Sequence, residues 1–288
     1  MKYVYIILVL ALVSGCQSSQ KDAAATTAAT PAAKVLPKTI QEAVDGPYRT
    51  PENRVRDQYR HPAETLAFFG LKPEMTVVEI TPGNGWYLEI LAPLMNEKGR
   101  YIAALAPSSA NEYVAKMNEK VEGWLKANPE IDAKVTRSVF NPKDAKAEIA
   151  PAGTADMVVT FRNVHNWVSQ NGEQAAFNAF FNALKPGGIL GVVEHRADPK
   201  AKKDPKAKSG YIAEAEVIRL AEKAGFKLDS KSEINANPKD TKNHPEGVWT
   251  LPPVLKLGDK DREKYVAIGE SDRMTLRFVK PEPKAKKK

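Results

Sequence analysis

Short β-branched, apolar runs alternate along this chain with amphipathic segments of helical periodicity. Runs such as "MTVVEI" (75–80) and "DMVVTF" (156–161) are typical of strands that are buried on both faces of a parallel sheet. The other strand candidates are "RYIAAL", "KVTRSVF", "ILGVVEH", "FKLDSKSEI" and "MTLRFVK". Helical spacing of apolar residues marks the segments between them, as in residues 173–184. The alternation predicts an α/β fold: a doubly wound, mostly parallel seven-stranded sheet with helices on both faces.

Local signals predict where several elements begin and end. The first long helix is expected to begin at Pro62 and end at Gly70. Ser109 and Glu112 form a capping-box pattern at the start of a helix over residues 109–128. Residues 235–265 interrupt the alternation, and a loop of this length is usually functional or disordered. Trp249 and Leu251 within it favour an ordered flap.

The formal net charge of +8 is confined to two segments. Residues 196–208 contain six basic and two acidic residues, and residues 280–288 contain five lysines and one glutamate, so each carries +4. Both are typical of a solvated loop or a frayed end. Because no basic face with interleaved aromatic residues is present, nucleic-acid binding is not expected.

The N-terminus has the pattern of an export signal. Lys2 precedes an apolar run that is too short to span a bilayer but suits a signal peptide, and it ends in "LVSGC". This stretch resembles a bacterial lipoprotein processing box, which implies that Cys16 is lipidated and becomes the new N-terminus. Gln17 resembles the outer-membrane sorting pattern. We therefore expect a lipid-anchored protein of the bacterial envelope, on the periplasmic side of the outer membrane.

Four regions follow from this pattern. Residues 17–34 are of low complexity and are typical of a tether. The predicted organisation is a signal peptide (1–15), a tether (16–36), a globular domain (37–280) and a basic tail (281–288). The single cysteine excludes an intramolecular disulfide and any cluster of thiolate metal ligands.

The turn "EITPGNGWY" (79–87) follows the first strand candidate. In an open α/β sheet, ligands bind at the carboxyl ends of the strands. Gly83 and Gly85 allow the backbone to pass close to a ligand, and the helix after them offers free N–H groups. Glu79 at the strand end is placed to orient an ammonium group. A tight turn without any ligand is the alternative.

Several segments occur in an order that resembles one superfamily. "GLKPEMTVVEITPGNG", "DMVVTFRNVHNW", "LKPGGILGVVEHR" and "AEKAGFKL" resemble motifs of class I S-adenosylmethionine-dependent methyltransferases, over about residues 62 to 280. More narrowly, the chain resembles exported bacterial methyltransferases of the lipoprotein type. The resemblance implies a Rossmann-like methyltransferase fold, S-adenosylmethionine as cofactor, and methyl transfer to an unknown small or envelope-linked acceptor.

The resemblance also implies roles for individual residues. The cofactor-binding set is Glu79, Pro82, Gly83, Asn84, Gly85, Asn141 and Asn163. Glu79 and the two glycines correspond to residues that hold the methionine part, and Asn141 to a polar residue facing the adenine amine. Asn163 and His165 correspond to positions where the methyl group is delivered. Thr81 stands where many members have another glycine, which predicts a less open turn.

The end of the second strand departs from the family pattern. Members have an Asp or Glu there that binds both ribose hydroxyls, whereas this chain has Leu105 and Ala106. Ser108 offers a single hydrogen bond. Because a bidentate, charge-assisted contact contributes about 2 to 3 kcal/mol, we expect a cofactor affinity about ten- to a hundredfold lower.

The four histidines all lie in polar, loop-like surroundings. His165 and His195 follow the fourth and fifth strands, so they are the predicted catalytic residues, with His165 as the first candidate for a base. His61 and His244 are candidates to lie near them, but for each of them a turn or helix cap is the favoured explanation. No two stand at a known metal-ligand spacing, so no metal site is assigned.

Two points stay open at the level of sequence. Trp86, Tyr87 and Trp167 either wall a pocket that attracts the sulfonium cation or pack in the core. The function is either methyl transfer, small-molecule binding without catalysis on the same fold, or metal-dependent hydrolysis by the histidines.

Overall fold

The computed structural model describes residues 34–202 and 204–283. The predicted signal peptide, the lipidation site Cys16, most of the tether and the last five residues of the basic tail lie outside these ranges. Within them, no helix combines the length and the apolar character that a bilayer crossing requires.

Seven strands form one sheet in the order β3-β2-β1-β4-β5-β7-β6. They are β1 (Thr76–Ile80), β2 (Arg100–Leu105), β3 (Thr136–Val139), β4 (Ala155–Phe161), β5 (Leu184–His195), β6 (Lys227–Ser232) and β7 (Arg273–Val279). The first five strands run parallel, and β7 pairs antiparallel with both β5 and β6. The predicted seven-stranded, mostly parallel α/β sheet is confirmed.

Helices pack on both faces of this sheet. They are α1 (Ile40–Asp45), α2 (Pro51–Arg54), α3 (Asp57–Arg60), α4 (Pro62–Phe69), α5 (Leu88–Met95), α6 (Glu112–Lys126), α7 (Pro129–Asp132), α8 (Val164–Gln170), α9 (Glu173–Ala183), α10 (Glu214–Ala224) and α11 (Arg262–Ile268). Consecutive strand residues alternate between two hydrophobic cores: Val77 packs with α4 and α5, and Val78 with α8, α9 and α10. Burial on both faces explains why the strands read as continuous apolar runs.

The predicted helix boundaries are right at α4 and wrong at α6. Gly70 ends α4 in the left-handed conformation (φ 78°) that glycine adopts without strain. Ser109 does not form a capping box, because residues 108–110 make a separate 3-10 turn. Instead Asn111 caps α6, its Oδ1 accepting from the backbone N–H of Val114 at 2.9 Å.

The long segment before β7 is packed against the domain, as its apolar residues predict. Leu251 has no exposed surface, and Gly247–Thr250 form a 3-10 turn. The ring of Trp249 in that turn lies edge-on to His165, with a centroid distance of 6.0 Å. The segment therefore reaches the carboxyl edge of the sheet and forms part of the candidate site.

Candidate active site

Two of the histidines meet at the carboxyl edge of the sheet. His165 lies in the first turn of α8, just after β4, and His195 is the last residue of β5. Because β4 and β5 are parallel neighbours, with Phe161 opposite Val193, the residues that follow them lie at one edge. The two imidazole rings are 5.4 Å apart between centroids.

Glu194 joins these histidines, and its side chain has no exposed surface. Its Oε2 accepts from the backbone N–H groups of Val164 at 2.6 Å and His165 at 3.3 Å, at the free N-terminus of α8. Its Oε1 accepts from the N–H of His195 at 2.7 Å and lies 3.0 Å from Nδ1 of His165. The sequence analysis missed Glu194, although a charged residue that ends an apolar strand beside a histidine is a usable signal.

The contact with Glu194 sets the protonation pattern of His165. A carboxylate can only accept hydrogen bonds, so Nδ1 of His165 carries the proton and donates it to Glu194. In the neutral form of the ring Nε2 then keeps a lone pair, which is what a general base requires. The ring is 6% exposed and is held between Glu194 and Trp249.

His195 is held in a different way. Its Nδ1 lies 2.5 Å from the hydroxyl oxygen of Ser271, in the loop before β7. Burial, followed by the electrostatic effects of His165 and Arg273, lowers the pKa of His195 well below its usual range. His195 is therefore neutral at pH 7 and offers a polar ring without charge.

His165, Glu194 and His195 are also, in the described ranges, the one group of three residues whose metal-ligand atoms lie within 4.8 Å of one another. Catalytic zinc sites use three protein ligands. Here both Nδ1 atoms and both carboxylate oxygens are engaged in hydrogen bonds, which leaves only the two Nε2 atoms. The geometry favours proton transfer over metal binding.

The other two histidines do not join this group. Nε2 of His244 lies 2.8 Å from Oδ1 of Asp240, and its ring packs edge-on against Tyr265. His61 connects α3 to α4 in a left-handed conformation, with a φ of 40°. His244 is thus held by a local contact, whereas the side chain of His61 makes no capping hydrogen bond.

The glycine turn after β1 has open space at Gly83, whereas Gly85 is buried. Gly83 and Gly85 have positive φ values of 64° and 84°, and a Cβ added at Gly83 would meet no atom within 4 Å. Thr81 also lies in the left-handed region (φ 50°), which is strained for a β-branched residue and fits a position where the resembling family has glycine. Pro82 is buried, and Asn84 is exposed at the tip. The turn fits the close approach of a ligand.

Glu79 is enclosed beneath this turn, with 2% of its surface exposed. The hydroxyl of Tyr101 donates to its Oε2 at 2.6 Å. Burial raises the pKa of Glu79 to about 7, against the opposing effects of the Tyr101 hydrogen bond and the charge of Arg162. Glu79 therefore changes charge near neutral pH, and its role towards an ammonium group stays a prediction.

Asn163 and Asn141, two of the three asparagines in the predicted cofactor set, form hydrogen bonds within the protein. Nδ2 of Asn163 donates to the backbone oxygen of Ile80 at 3.0 Å and to the hydroxyl of Thr160 at 3.2 Å. It thus ties the end of β1 to the end of β4 and supports the glycine turn. Asn141 is exposed, and its Oδ1 accepts from the N–H of Lys143 at 3.1 Å. Their cofactor roles stay predictions.

Neutral groups occupy the position after β2 where the family carries a carboxylate. Nδ2 of Asn118 donates to the backbone oxygen of Ala106 and to the hydroxyl of Ser108, both at 2.8 Å. Asn118 was not singled out by sequence because it lies on the next helix, α6. Leu105 and Ala106 themselves are half-buried. The end of β2 therefore presents hydrogen-bonding groups without charge.

The aromatic residues near this edge pack in the interior. Trp86, Tyr87 and Trp167 are 4%, 3% and 3% exposed. Tyr87 stacks on Phe161 at 3.5 Å between centroids, and Nε1 of Trp86 donates to the backbone oxygen of Asn53 at 2.9 Å. Of the two alternatives for these rings, packing in the core is the one that their burial and contacts support.

The strand order, the glycine turn and the polar carboxyl edge together define a Rossmann-like protein with the class I methyltransferase fold. Solved structures support this. The chain is similar to a SAM-dependent methyltransferase from Aquifex aeolicus, with 18% identity over 84% of this chain and 96% of that one and a TM-score of 0.52. A putative sarcosine dimethylglycine methyltransferase from Galdieria sulphuraria matches with 12% identity over 86% and 93%, and a TM-score of 0.52.

The fold is also found in a protein named for another reaction. The [4+2]-cyclase SpnF matches with 15% identity over 80% of this chain and 81% of that one, and a TM-score of 0.53. No family model and no curated protein sequence matches the chain. Similarity at these identities establishes the fold, so the activity has to be derived from the site.

Proposed function

We propose that this protein is an S-adenosylmethionine-dependent methyltransferase whose acceptor is a hydroxyl group. The observation that carries the proposal is the 3.0 Å contact between Nδ1 of His165 and Glu194, at the edge where this fold delivers a methyl group. A hydroxyl must lose its proton to become a good nucleophile, whereas a neutral amine already has a free lone pair. A base positioned by a buried carboxylate therefore favours an oxygen acceptor.

In the proposed reaction His165 transfers the proton, and Glu194 and His195 set its surroundings. When bound, the cofactor supplies an electrophilic methyl group on its sulfonium. Nε2 of His165 takes the proton of the acceptor hydroxyl, and Glu194 stabilises the imidazolium that forms. The remaining acceleration comes from alignment of the acceptor oxygen with the methyl group. His195 stays neutral and contributes polarity without competing for the proton.

The residues that would hold the cofactor follow from the geometry of the edge. The absence of side chains at Gly83 and Gly85 suits the methionine part. Asn163 holds the start of the turn through its hydrogen bond to the backbone oxygen of Ile80. The hydroxyl of Ser108 and the amide of Asn118 are the candidates for the ribose. Since these groups are neutral, we expect binding about ten- to a hundredfold weaker than with a carboxylate at this place.

The proposed location is the bacterial envelope, with Cys16 lipidated and the domain facing the periplasm. The support is the "LVSGC" stretch followed by Gln17. Globomycin, which blocks lipoprotein signal peptidase, is expected to cause accumulation of the unprocessed chain. Unchanged processing, or recovery of the protein in the soluble fraction, would contradict this part of the proposal.

Calorimetric titration with S-adenosylmethionine and S-adenosylhomocysteine tests cofactor binding directly. We expect saturable binding, and the absence of any response at millimolar ligand would contradict methyl transfer. With a panel of small phenols and alcohols, His165→Gln is expected to abolish formation of S-adenosylhomocysteine while leaving its binding intact. Loss of binding in this variant would assign His165 to the cofactor pocket instead.

The histidine group supports one competing function, metal-dependent hydrolysis, because its ligand atoms lie within 4.8 Å of one another. A binding module without catalysis is the other alternative, and the neutral ribose site favours it. Retained S-adenosylhomocysteine binding with no methyl transfer to any acceptor would favour the module.

A further inference from the structure

Four arginines gather around one carboxylate beside the two histidines. Glu270 pairs with Arg56 at 2.6 Å, with Arg60 at 3.5 Å, and with Arg273. Arg162 adds a fourth guanidinium, and its charge acts on Arg60. Arg60, Arg273 and Glu270 are 3%, 2% and 3% exposed. Glu270 is the one carboxylate paired with these arginines, and the buried Glu79, on which Arg162 also acts, has its pKa raised to about 7, so positive charge is in excess here.

Of the four arginines, Arg162 has the fewest hydrogen-bond and ion-pair partners within the protein. It follows β4 directly and adopts a left-handed conformation with a φ of 61°. Among the residues that the structure describes, its guanidinium has neither a hydrogen-bond partner nor an ion-pair partner. Burial, followed by the charge of Arg273, lowers the pKa of Arg162 to about 10. Glu270 acts on Arg162 only through space, and an arginine without a direct ion-pair partner is costly to bury, which makes it a good partner for an anion.

Two further donors are left free in the same cluster. Nη1 of Arg60 and Nε of Arg273 are buried without a hydrogen-bond partner in the described structure. Guanidinium groups present their N–H donors in a planar fork that matches the oxygens of a carboxylate or phosphate. An oxyanion at this place would satisfy both unpaired donors and neutralise part of the excess charge.

The position of the cluster indicates which molecule carries the anion. Arg273 lies opposite His195 in the pairing of β5 with β7, and Arg162 precedes His165 by three residues. The charges of Arg273, Arg162 and Arg60 all act on His195. The cluster therefore borders the histidine pair, where the acceptor would lie.

We propose that Arg162, together with Arg60 and Arg273, binds an oxyanion, a carboxylate or phosphate group, on the methyl acceptor. The claim that the anion belongs to the methyl acceptor rests on the proposed methyl transfer. The claim that an anion binds here does not depend on it. The carboxylate in the amino-acid part of the cofactor is the other oxyanion that could bind these arginines. The last titration below distinguishes it from an anion on the acceptor.

The full chain is titrated with inorganic phosphate and with phenyl phosphate at constant ionic strength, with chloride as the reference salt. We expect a saturable rise in the melting temperature. Arg162→Gln is expected to weaken phosphate binding about tenfold or more, because it removes a charge-assisted fork. Arg219→Gln, on the exposed face of α10, is the matched control and should bind like the wild type. Equal phosphate binding by wild type and Arg162→Gln, or no binding by either, would overturn the inference.

Stability without ligand separates an anion site from a structural role. Because Arg162→Gln removes an unpaired charge, the variant should melt at the same or a higher temperature in chloride. Arg162→Lys keeps the charge but loses the fork, so it should bind phosphate with an intermediate affinity. A variant that melts lower and still binds phosphate normally would show a structural role.

A final titration with S-adenosylhomocysteine in the presence of phosphate identifies the carrier. We expect the two ligands to bind independently, and Arg162→Gln to keep its affinity for S-adenosylhomocysteine. Competition between them, or a tenfold loss in the variant, would assign the arginines to the cofactor carboxylate and overturn the acceptor assignment. Phosphate binding without cofactor binding would leave the anion site standing and contradict the methyltransferase proposal alone.

Discussion

Nδ1 of His165 lies 3.0 Å from Oε1 of Glu194, although 29 residues separate them in the chain. The same carboxylate accepts the first N–H groups of α8, so it holds both the imidazole and the helix that carries it. The orientation of the proposed base and the stability of this edge therefore depend on one buried side chain.

Replacing Glu194 by glutamine should destabilise the protein. The amide has one acceptor oxygen in place of two and turns an NH2 group towards backbone donors, so at least one buried N–H loses its partner. We expect the free energy of unfolding to fall by about 2 to 4 kcal/mol. Urea denaturation measures this. Glu246→Gln is the control, because Glu246 pairs with Lys256 at the surface, and its effect should stay within about 0.5 kcal/mol. Equal stability of the two variants would contradict the role assigned to Glu194.

The sheet could be predicted from sequence because its strands are buried on both faces and therefore read as unbroken apolar runs. His165 and His195 could be placed together for a related reason, since each follows one of two neighbouring parallel strands. In both cases a short stretch of sequence identifies the strand and the residues at its end. The strand order of the fold then determines which strand ends are neighbours.

The remaining site residues depend on contacts that no local pattern contains. Glu270 and Arg60 are 210 residues apart in the chain, and Arg56 and Glu270 are 214 apart. Glu194 is the residue before the last of β5, and although a charge at the end of an apolar strand is a signal, the sequence does not show that its side chain contacts the N-terminus of α8. The sequence does not distinguish whether Trp86 and Tyr87 line a pocket or pack in the core, because this depends on the helices that cover them.

Glu79 should make stability depend on pH in the direction opposite to an ordinary paired carboxylate. Its pKa is raised from 4.5 to about 7 in the folded protein, so the native state holds the proton more tightly than the unfolded chain. Its favourable contribution is complete below pH 4.5 and is lost as the pH rises through 7. Glu79→Gln, which can still accept from Tyr101, should therefore gain stability over the wild type between pH 5 and pH 8, by about 1 to 3 kcal/mol.

Urea denaturation of wild type and Glu79→Gln at several pH values measures this difference. The control is Glu97→Gln, in the exposed turn that follows α5, for which the difference from wild type should be constant over the range. A constant difference for Glu79→Gln as well would mean that Glu79 titrates normally.

Metal content separates proton transfer from hydrolysis. Protein purified without chelators should carry less than stoichiometric zinc, because the Nδ1 atoms and the carboxylate oxygens of the histidine group are engaged in hydrogen bonds. Elemental analysis by mass spectrometry gives the ratio. His165→Gln should leave the residual metal unchanged. One equivalent of metal in the wild type that disappears in this variant would favour the hydrolase instead.

The affinity for the cofactor should respond to a carboxylate restored after β2. Ala106 is half-buried beside Ser108 and Asn118, where the resembling family binds both ribose hydroxyls with an acidic residue. Ala106→Asp supplies two acceptor oxygens and a charge, so binding of S-adenosylhomocysteine should tighten about ten- to a hundredfold in calorimetric titration. Ala106→Asn has nearly the same shape without the charge, and it should gain at most a fewfold. If Ala106→Asp binds no better than Ala106→Asn, the ribose does not lie at this strand end, and the assignment of the adenosyl site to this edge would have to be abandoned.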